Sequence, residues 1–133
     1  MSLRSKTYVI DCNPIPWQRA GINSQAARFF DRQKQDKIAF GLYILSQHGN
    51  SPLFEGPLLV EATFYMPIPK TGFKKGTLWH CKKADADNFL KFLFDSITNT
   101  EAVWNDDCQV SKIITSKIYD KHPRTIFTIS ELE

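Results

Sequence analysis

The chain has 133 residues, 42% of them hydrophobic and 13% aromatic, with 17 lysines and arginines against 14 acids and a net charge of +3. That size and apolar content predict one soluble globular domain, residues 1–133, with a core that needs no disulfide or metal, and they exclude disorder over most of the length. No run approaches the roughly 18 apolar residues of a membrane helix, no signal-peptide core opens the chain, and three scattered cysteines (Cys12, Cys81, Cys108) suit a reducing cytoplasm, with His80, Cys81 and Cys108 poorly spaced for zinc.

Lys6 to Asp11 reads as a short strand, ended by Asn13-Pro14-Ile15-Pro16. Trp17 to Phe30, with Gly21 and Asn23, reads as a loop holding at most a short extended piece; Arg19 and Arg28 lie in it and Arg32 just beyond. Asp31 is the expected N-cap of a helix over 32–47, in which Ile38, Leu42 and Leu45 recur at i, i+4, i+7. His48 to Pro52 is a loop by composition. Leu58 to Met66 predicts a well-paired strand, closed by Pro67 and Pro69. Asn88 to Thr98 puts Phe89, Phe92, Leu93 and Ile97 on one helical face, with Asp87 or Asn88 as cap. Gln109–Tyr119 and Arg124–Ser130 alternate as strands, with Lys121-His122-Pro123 read as a hairpin connection. The class is therefore α+β: a small mixed sheet with two main helices in β-α-β-α-β-β order.

Charge is divided along this frame. Asp85 to Asp107 holds six acids and one base, Lys91, whereas the other 110 residues carry sixteen bases against eight acids. No acid occurs from Ala62 through Ala84, where Lys70, Lys74, Lys75, Lys82 and Lys83 lie among Phe73, Trp79 and His80. An acidic cluster in a basic body fits a divalent cation held by the acids and a polyanion held by the bases; the plain alternative is a lysine-rich loop that keeps the protein soluble.

The sharpest pattern is Asp85-Ala86-Asp87-Asn88-Phe89-Leu90-Lys91, then Asp95, then Trp104-Asn105-Asp106-Asp107-Cys108-Gln109. A turn into the helix can swing Asp85 and Asp87 toward one point, with Lys91 a helical turn further along the same side. A short return can bring Asp106-Asp107 beside them. Carboxylates meeting there repel, and Mg²⁺, which takes oxygen ligands and keeps several waters, is their natural neutraliser. The alternatives are structural: Asp87 as a cap, Asp95 paired with Lys91, Asp106-Asp107 as a turn.

D-x-D-N-x-x-K-x-x-x-D followed by an aromatic residue and D-D-x-Q resembles the signature of the RusA-type Holliday junction resolvases, small phage and prophage endodeoxyribonucleases. Asp85 to Val110 carries the match, and the early Pro-rich turn, first helix and C-terminal strand pair extend it across most of the chain. The resemblance implies metal-binding, catalytic aspartates at Asp85, Asp87 and Asp107 and a catalytic lysine at Lys91, with Asn88, Asp95, Asp106 and Gln109 in supporting positions. Ser96 to Asn105 is about one residue longer than the pattern, which leaves Asp106 as the alternative ligand, and Ala84 stands where a basic residue is expected. It further implies a Mg²⁺-dependent homodimer, without an organic cofactor or a membrane, that resolves four-way junction DNA by paired nicks in recombination and repair. Lys70, Lys74, Lys75, Lys82, Lys83, Arg19 and Arg28 are the expected DNA contacts, and Phe73 and Trp79 either wedge into the open junction or pack beneath the loop. Trp17 and Trp104 are expected in the core or the dimer interface. The rival functions are a metal nuclease for other branched DNA or RNA and an inactive DNA-binding module.

Overall fold

Described in a computed structural model are residues 3–23 and 28–133, with backbone alone for 22, 23, 28 and 29. Along the chain run β1 (Ser5–Ile10), β2 (Gly21–Asn23), β3 (Arg28–Phe30), α1 (Lys34–His48), β4 (Leu58–Met66), α2 (Ala86–Asn99), a one-turn 3₁₀ helix (Asp107–Gln109), β5 (Val110–Tyr119) and β6 (Arg124–Glu131). In β4 every second side chain, Leu58, Val60, Ala62, Phe64 and Met66, is buried, and β6 adds Thr125, Phe127 and Ile129 to the same face. β1 supplies Tyr8 and Ile10, and the Tyr8 and Phe127 rings stack at 4.9 Å. The two helices cover this face: Phe89 of α2 meets Phe64, and Phe40 of α1 meets Phe92 of α2 edge-on. The opposite face carries hydroxyls that pair across strands, Thr7 with Thr128 and Ser5 with Ser130.

The sheet order is β1-β6-β4-β5, with β4 and β5 parallel and the other pairs antiparallel. The small α+β class with a mixed sheet and two helices is as expected. The hairpin is not: β4 lies between β5 and β6, so Lys121-His122-Pro123 leads a crossing from one side of β4 to the other. A network centred on Asp120 holds that crossing, its carboxylate accepting from His122 N at 3.0 Å and Arg124 Nη1 at 2.6 Å. The loop over 17–30 also holds more structure than composition suggests, since β2 and β3 pair antiparallel.

α1 reverses its expected face. Ile38, Leu42 and Leu45 are 48%, 63% and 39% exposed, while Lys37, Phe40, Gly41, Ile44 and His48 are buried. Both stripes have helical spacing, so periodicity cannot choose between them; Phe40 reaches Phe92, and Tyr8 and His48 share a 2.7 Å hydrogen bond beneath the helix. Asp31 stands two residues before the N-cap position, Gln33, and there it accepts from Gln33 N and Lys37 Nζ, both at 2.8 Å. The Lys37 hydrogen bond holds the Asp31 carboxyl below the usual carboxylate range. Among the described residues no helix is long and apolar enough to cross a membrane.

The two faces of α1 are separable in solution. Ile44→Ala should lower unfolding stability by roughly 2–5 kcal/mol, as for other buried aliphatics, and Leu42→Ala by less than about 1 kcal/mol. Urea unfolding checks this at a protein concentration low enough that self-association adds nothing; the reverse ranking would restore the sequence-expected face.

Candidate active site

The acidic segment begins where the chain enters α2. Asp85 occupies the N-cap position with extended backbone (φ −71°, ψ 152°), and its carbonyl accepts from Asn88 N at 3.1 Å. Its side chain makes no capping bond, so the cap expected of Asp87 or Asn88 falls to the backbone of Asp85 instead. Both carboxylates remain exposed, Asp87 in the first helical turn where the positive end of the helix dipole favours negative charge. Lys91 follows one turn later, exposed, with its ammonium 5.0 Å from the centre of the Trp17 ring. The backbone secures that contact, because Trp17 N donates to Asn88 O at 2.9 Å. The early Pro-rich turn thus sets the surface on which the lysine rests.

Asp106 and Asp107 have different surroundings. Asp106 caps the 3₁₀ turn, its Oδ1 accepting from Asp107 N at 2.9 Å, while Gln109 Oε1 accepts from the backbone of Asn105 and Asp106. Gln109 Nε2 donates to the Phe54 and Gly56 carbonyls, which fastens the turn to the chain entering β4. Asp107 is partly buried and faces mixed charge. Burial pushes its carboxyl above the ordinary carboxylate range, Asp106 and Asp95 push the same way, and Lys91 pulls it back. Asp95 does not pair with Lys91; it lies 3.6 Å from Lys37 of α1.

The structure therefore brings Asp107, Lys91 and Asp95 within electrostatic reach, with Asp85 and Asp87 exposed at the start of the same helix. Among the described residues no three His, Cys, Asp or Glu side chains gather as a ligand group. The donors present are carboxylate oxygens, the set that hard cations take, and Mg²⁺ binds through as few as one or two of them with water completing its shell. The charge crowding on Asp107 is a surplus that such a cation offsets, so the residues fit Mg²⁺ in donor type and charge.

Lys70, Lys74, Lys75, Lys82, Lys83 and Arg19 are all exposed, whereas the side chain of Arg28 lies outside the described residues. Trp79 is 64% exposed and so does not pack beneath the loop; Phe73 is partly buried, edge-on to Tyr119 at 5.1 Å. Trp104 is core, its Nε1 donating to Thr98 Oγ1 at 2.9 Å. Three positions escape sequence reasoning. Trp17 carries Lys91. Lys37 pairs with Asp95. Lys117 of β5 donates to the carbonyls of Lys82 (3.0 Å) and Ala84 (2.7 Å), fixing the backbone that delivers Asp85. Only the Pro-rich turn ahead of Trp17 gave a hint; a lysine in an alternating strand gives none.

Residues 11–130 match the family model described as Endodeoxyribonuclease RusA. The chain is also similar to an uncharacterized protein, YqaN, of Bacillus subtilis (strain 168), with 30% identity over 98 residues, covering 67% of this chain and 68% of that one.

Because burial and neighbouring acids push its carboxyl above the ordinary range, ionised Asp107 weakens the fold. In EDTA near pH 7, Asp107→Asn should unfold at a temperature equal to or above wild type. The advantage should fade as pH falls through the carboxylate range, where Asp107 is protonated in both folded and unfolded chains. Added Mg²⁺ should raise the wild-type melting temperature and leave that of Asp107→Asn nearly unmoved; a variant less stable than wild type in EDTA would give Asp107 a structural role.

Proposed function

The chain belongs to the RusA endodeoxyribonuclease family, and we propose that it resolves four-way DNA junctions in the cytoplasm as a Mg²⁺-dependent homodimer, nicking two symmetric strands in recombination and repair. The observation that carries this reading is the charge-crowded Asp107 within reach of Lys91 on the helix that Asp85 and Asp87 open. Asp85, Asp87 and Asp107 are the residues that would hold Mg²⁺; when bound, it supplies Lewis acidity at a phosphoryl oxygen and acidifies the attacking water. Capping engages Asp106, which favours Asp107 as the ligand of the pair.

The chain's own residues account for the rest. Lys91, steadied on Trp17, presents positive charge toward the phosphate where negative charge develops during cleavage. Gln109 and Asp106 hold the turn that presents Asp107. Lys70, Lys74, Lys75, Lys82, Lys83 and Arg19, with Arg28, bind backbone phosphates over a broad surface and so read shape more than base sequence. A four-way junction has approximate two-fold symmetry, and a two-fold dimer sets one such cluster at each of two phosphates. The exposed Ile38, Leu42 and Leu45 of α1 form the apolar stripe that a self-complementary contact would cover.

The test offers synthetic four-way junctions, flaps and linear duplex with and without Mg²⁺ and maps the nicks. Asp85→Asn, Asp87→Asn and Asp107→Asn should abolish cleavage while binding persists, Asp106→Asn should be milder, and Lys91→Ala should slow cleavage by roughly 10²-fold. Equal cutting of flaps would widen the substrate to branched DNA in general, and tight binding without any cutting would leave a DNA-binding module. Leu42→Glu should shift light-scattering mass from dimer to monomer; an unchanged mass places the interface elsewhere.

A further inference from the structure

After β4 ends at Met66, the chain runs outward through the lysine-rich loop and returns along the edge of β5. Tyr119 N donates to Leu78 O at 2.8 Å, His80 N donates to Lys117 O at 3.1 Å, and Trp79 forms an isolated antiparallel bridge with Ile118. These bonds pin residues 78–80 as a short extra rung. Tryptophan is highly buried on average, as Trp104 is at 1% exposure, yet Trp79 remains 64% exposed. The core therefore does not account for it.

Beside Trp79 opens a cleft of about 440 Å³, whose lining includes Pro69, Phe73, Lys74, Lys82 and Tyr119. Phe73 packs edge-on against Tyr119, and the His80 ring lies tilted 5.1 Å from the same tyrosine, so the cleft has an aromatic wall. The volume falls within the roughly 300–1,000 Å³ of small-ligand sites. Lys74 and Lys82 supply positive charge, and the sequence from Ala62 to Ala84 has no acid to offset them. Flat aromatic surface with cations at its rim is the combination that single-stranded nucleic acid uses: every base has a π-face to stack, and every linkage has a phosphate to neutralise. An acidic peptide would use the lysines and leave the indole unexplained.

We propose that this cleft holds an unpaired nucleotide, its base stacked on Trp79 and its phosphates against Lys74 and Lys82. The inference rests on the reading of the chain as a DNA enzyme only for the identity of the polymer. Its consequence is substrate choice. Lys82 lies three residues before Asp85, and Lys117 fixes the intervening backbone, so a strand seated on Trp79 is held close upstream of the acidic segment. Unpaired bases are exposed at branch points and not within linear duplex, so the cleft would favour branched substrates without reading sequence.

The experiment uses the full chain in EDTA, so that nothing is cut, with a single-stranded oligonucleotide carrying 2-aminopurine and a matched oligonucleotide with an abasic position. Trp79→Ala should weaken binding of the strand by roughly 5- to 150-fold, the range of single base–aromatic stacks, and abolish the 2-aminopurine quenching. Trp79→Phe should keep most of both. The abasic strand should bind wild type less tightly and Trp79→Ala unchanged, because the base and the ring are one interaction. Changing Lys74 and Lys82 together to Ala should lower the log–log salt slope by about 1.4, at roughly 0.7 per contact on single strands, without altering the quenching at saturation. Wild-type affinity in Trp79→Ala, or an equal loss on linear duplex, would overturn the proposal. Junction cleavage with Mg²⁺ is scored separately: wild type that cuts nothing but quenches through Trp79 loses the resolvase reading and keeps the cleft, and wild type that cuts junctions with an inert Trp79 does the reverse.

Discussion

The parallel pairing of β4 with β5 is the constraint on which the rest depends. Parallel neighbours cannot be joined by a tight turn and need a long crossover. Here the crossover runs over residues 67–109, and it carries all the candidate carboxylates, Lys91 and the five clustered lysines. The register fixes both ends, Leu58 against Val110 and Met66 against Tyr119, and Asp120 N extends the ladder by donating to Met66 O at 3.0 Å. Within that frame α2 has one way to bury Phe89, Phe92, Leu93 and Ile97 on the sheet, and doing so turns Asp87 and Lys91 outward. The acidic segment is exposed because the opposite side of the same helix is core.

Holding carboxylates near one another costs stability, and the fold offsets part of that cost locally. Asp87 sits at the favourable end of the α2 dipole. Lys37, buried in α1, ties to Asp31 and reaches Asp95, so one of the acids that crowd Asp107 is partly neutralised. What remains falls on Asp107, whose carboxyl is pushed upward by burial and by its neighbours.

How far the sequence disclosed this differs by element, and for physical reasons. β4 was legible to the residue because alternating β-branched and aromatic side chains have one way to face a core. α1 was legible as a helix and misleading as a face, since Phe40-Ile44-His48 and Ile38-Leu42-Leu45 both obey helical spacing and only tertiary contact with Phe92 and Tyr8 selects between them. The β5–β6 connection looked like a hairpin because short loops usually join neighbours; that β6 takes the far edge of β4 is a long-range fact with no local signal. At the site, D-x-D-N and the lysine four residues on were plain, whereas the supports of Lys91 and Asp95, namely Trp17 and Lys37, come from the distant N-terminal third of the chain and leave no local signal.

The rung at residues 78–80 joins folding to recognition. β5 is an edge strand, and an open edge offers unpaired backbone groups to any other chain. The rung covers that edge over Lys117 to Tyr119, and Lys117 extends the cover by donating to two carbonyls just beyond it. Ile113 and Ile114, earlier on the same strand, stay 45% and 51% exposed, with Lys112 charged beside them. Covering an edge needs only backbone, so a small polar residue at position 79 would serve it as well as an indole. The large exposed ring is therefore surplus to the protective role, and its place between Lys74 and Lys82 on the approach to Asp85 gives that surplus a use: the same hydrogen bonds that close the edge fix the backbone that carries the indole, so a stacked base has only the side chain left to order.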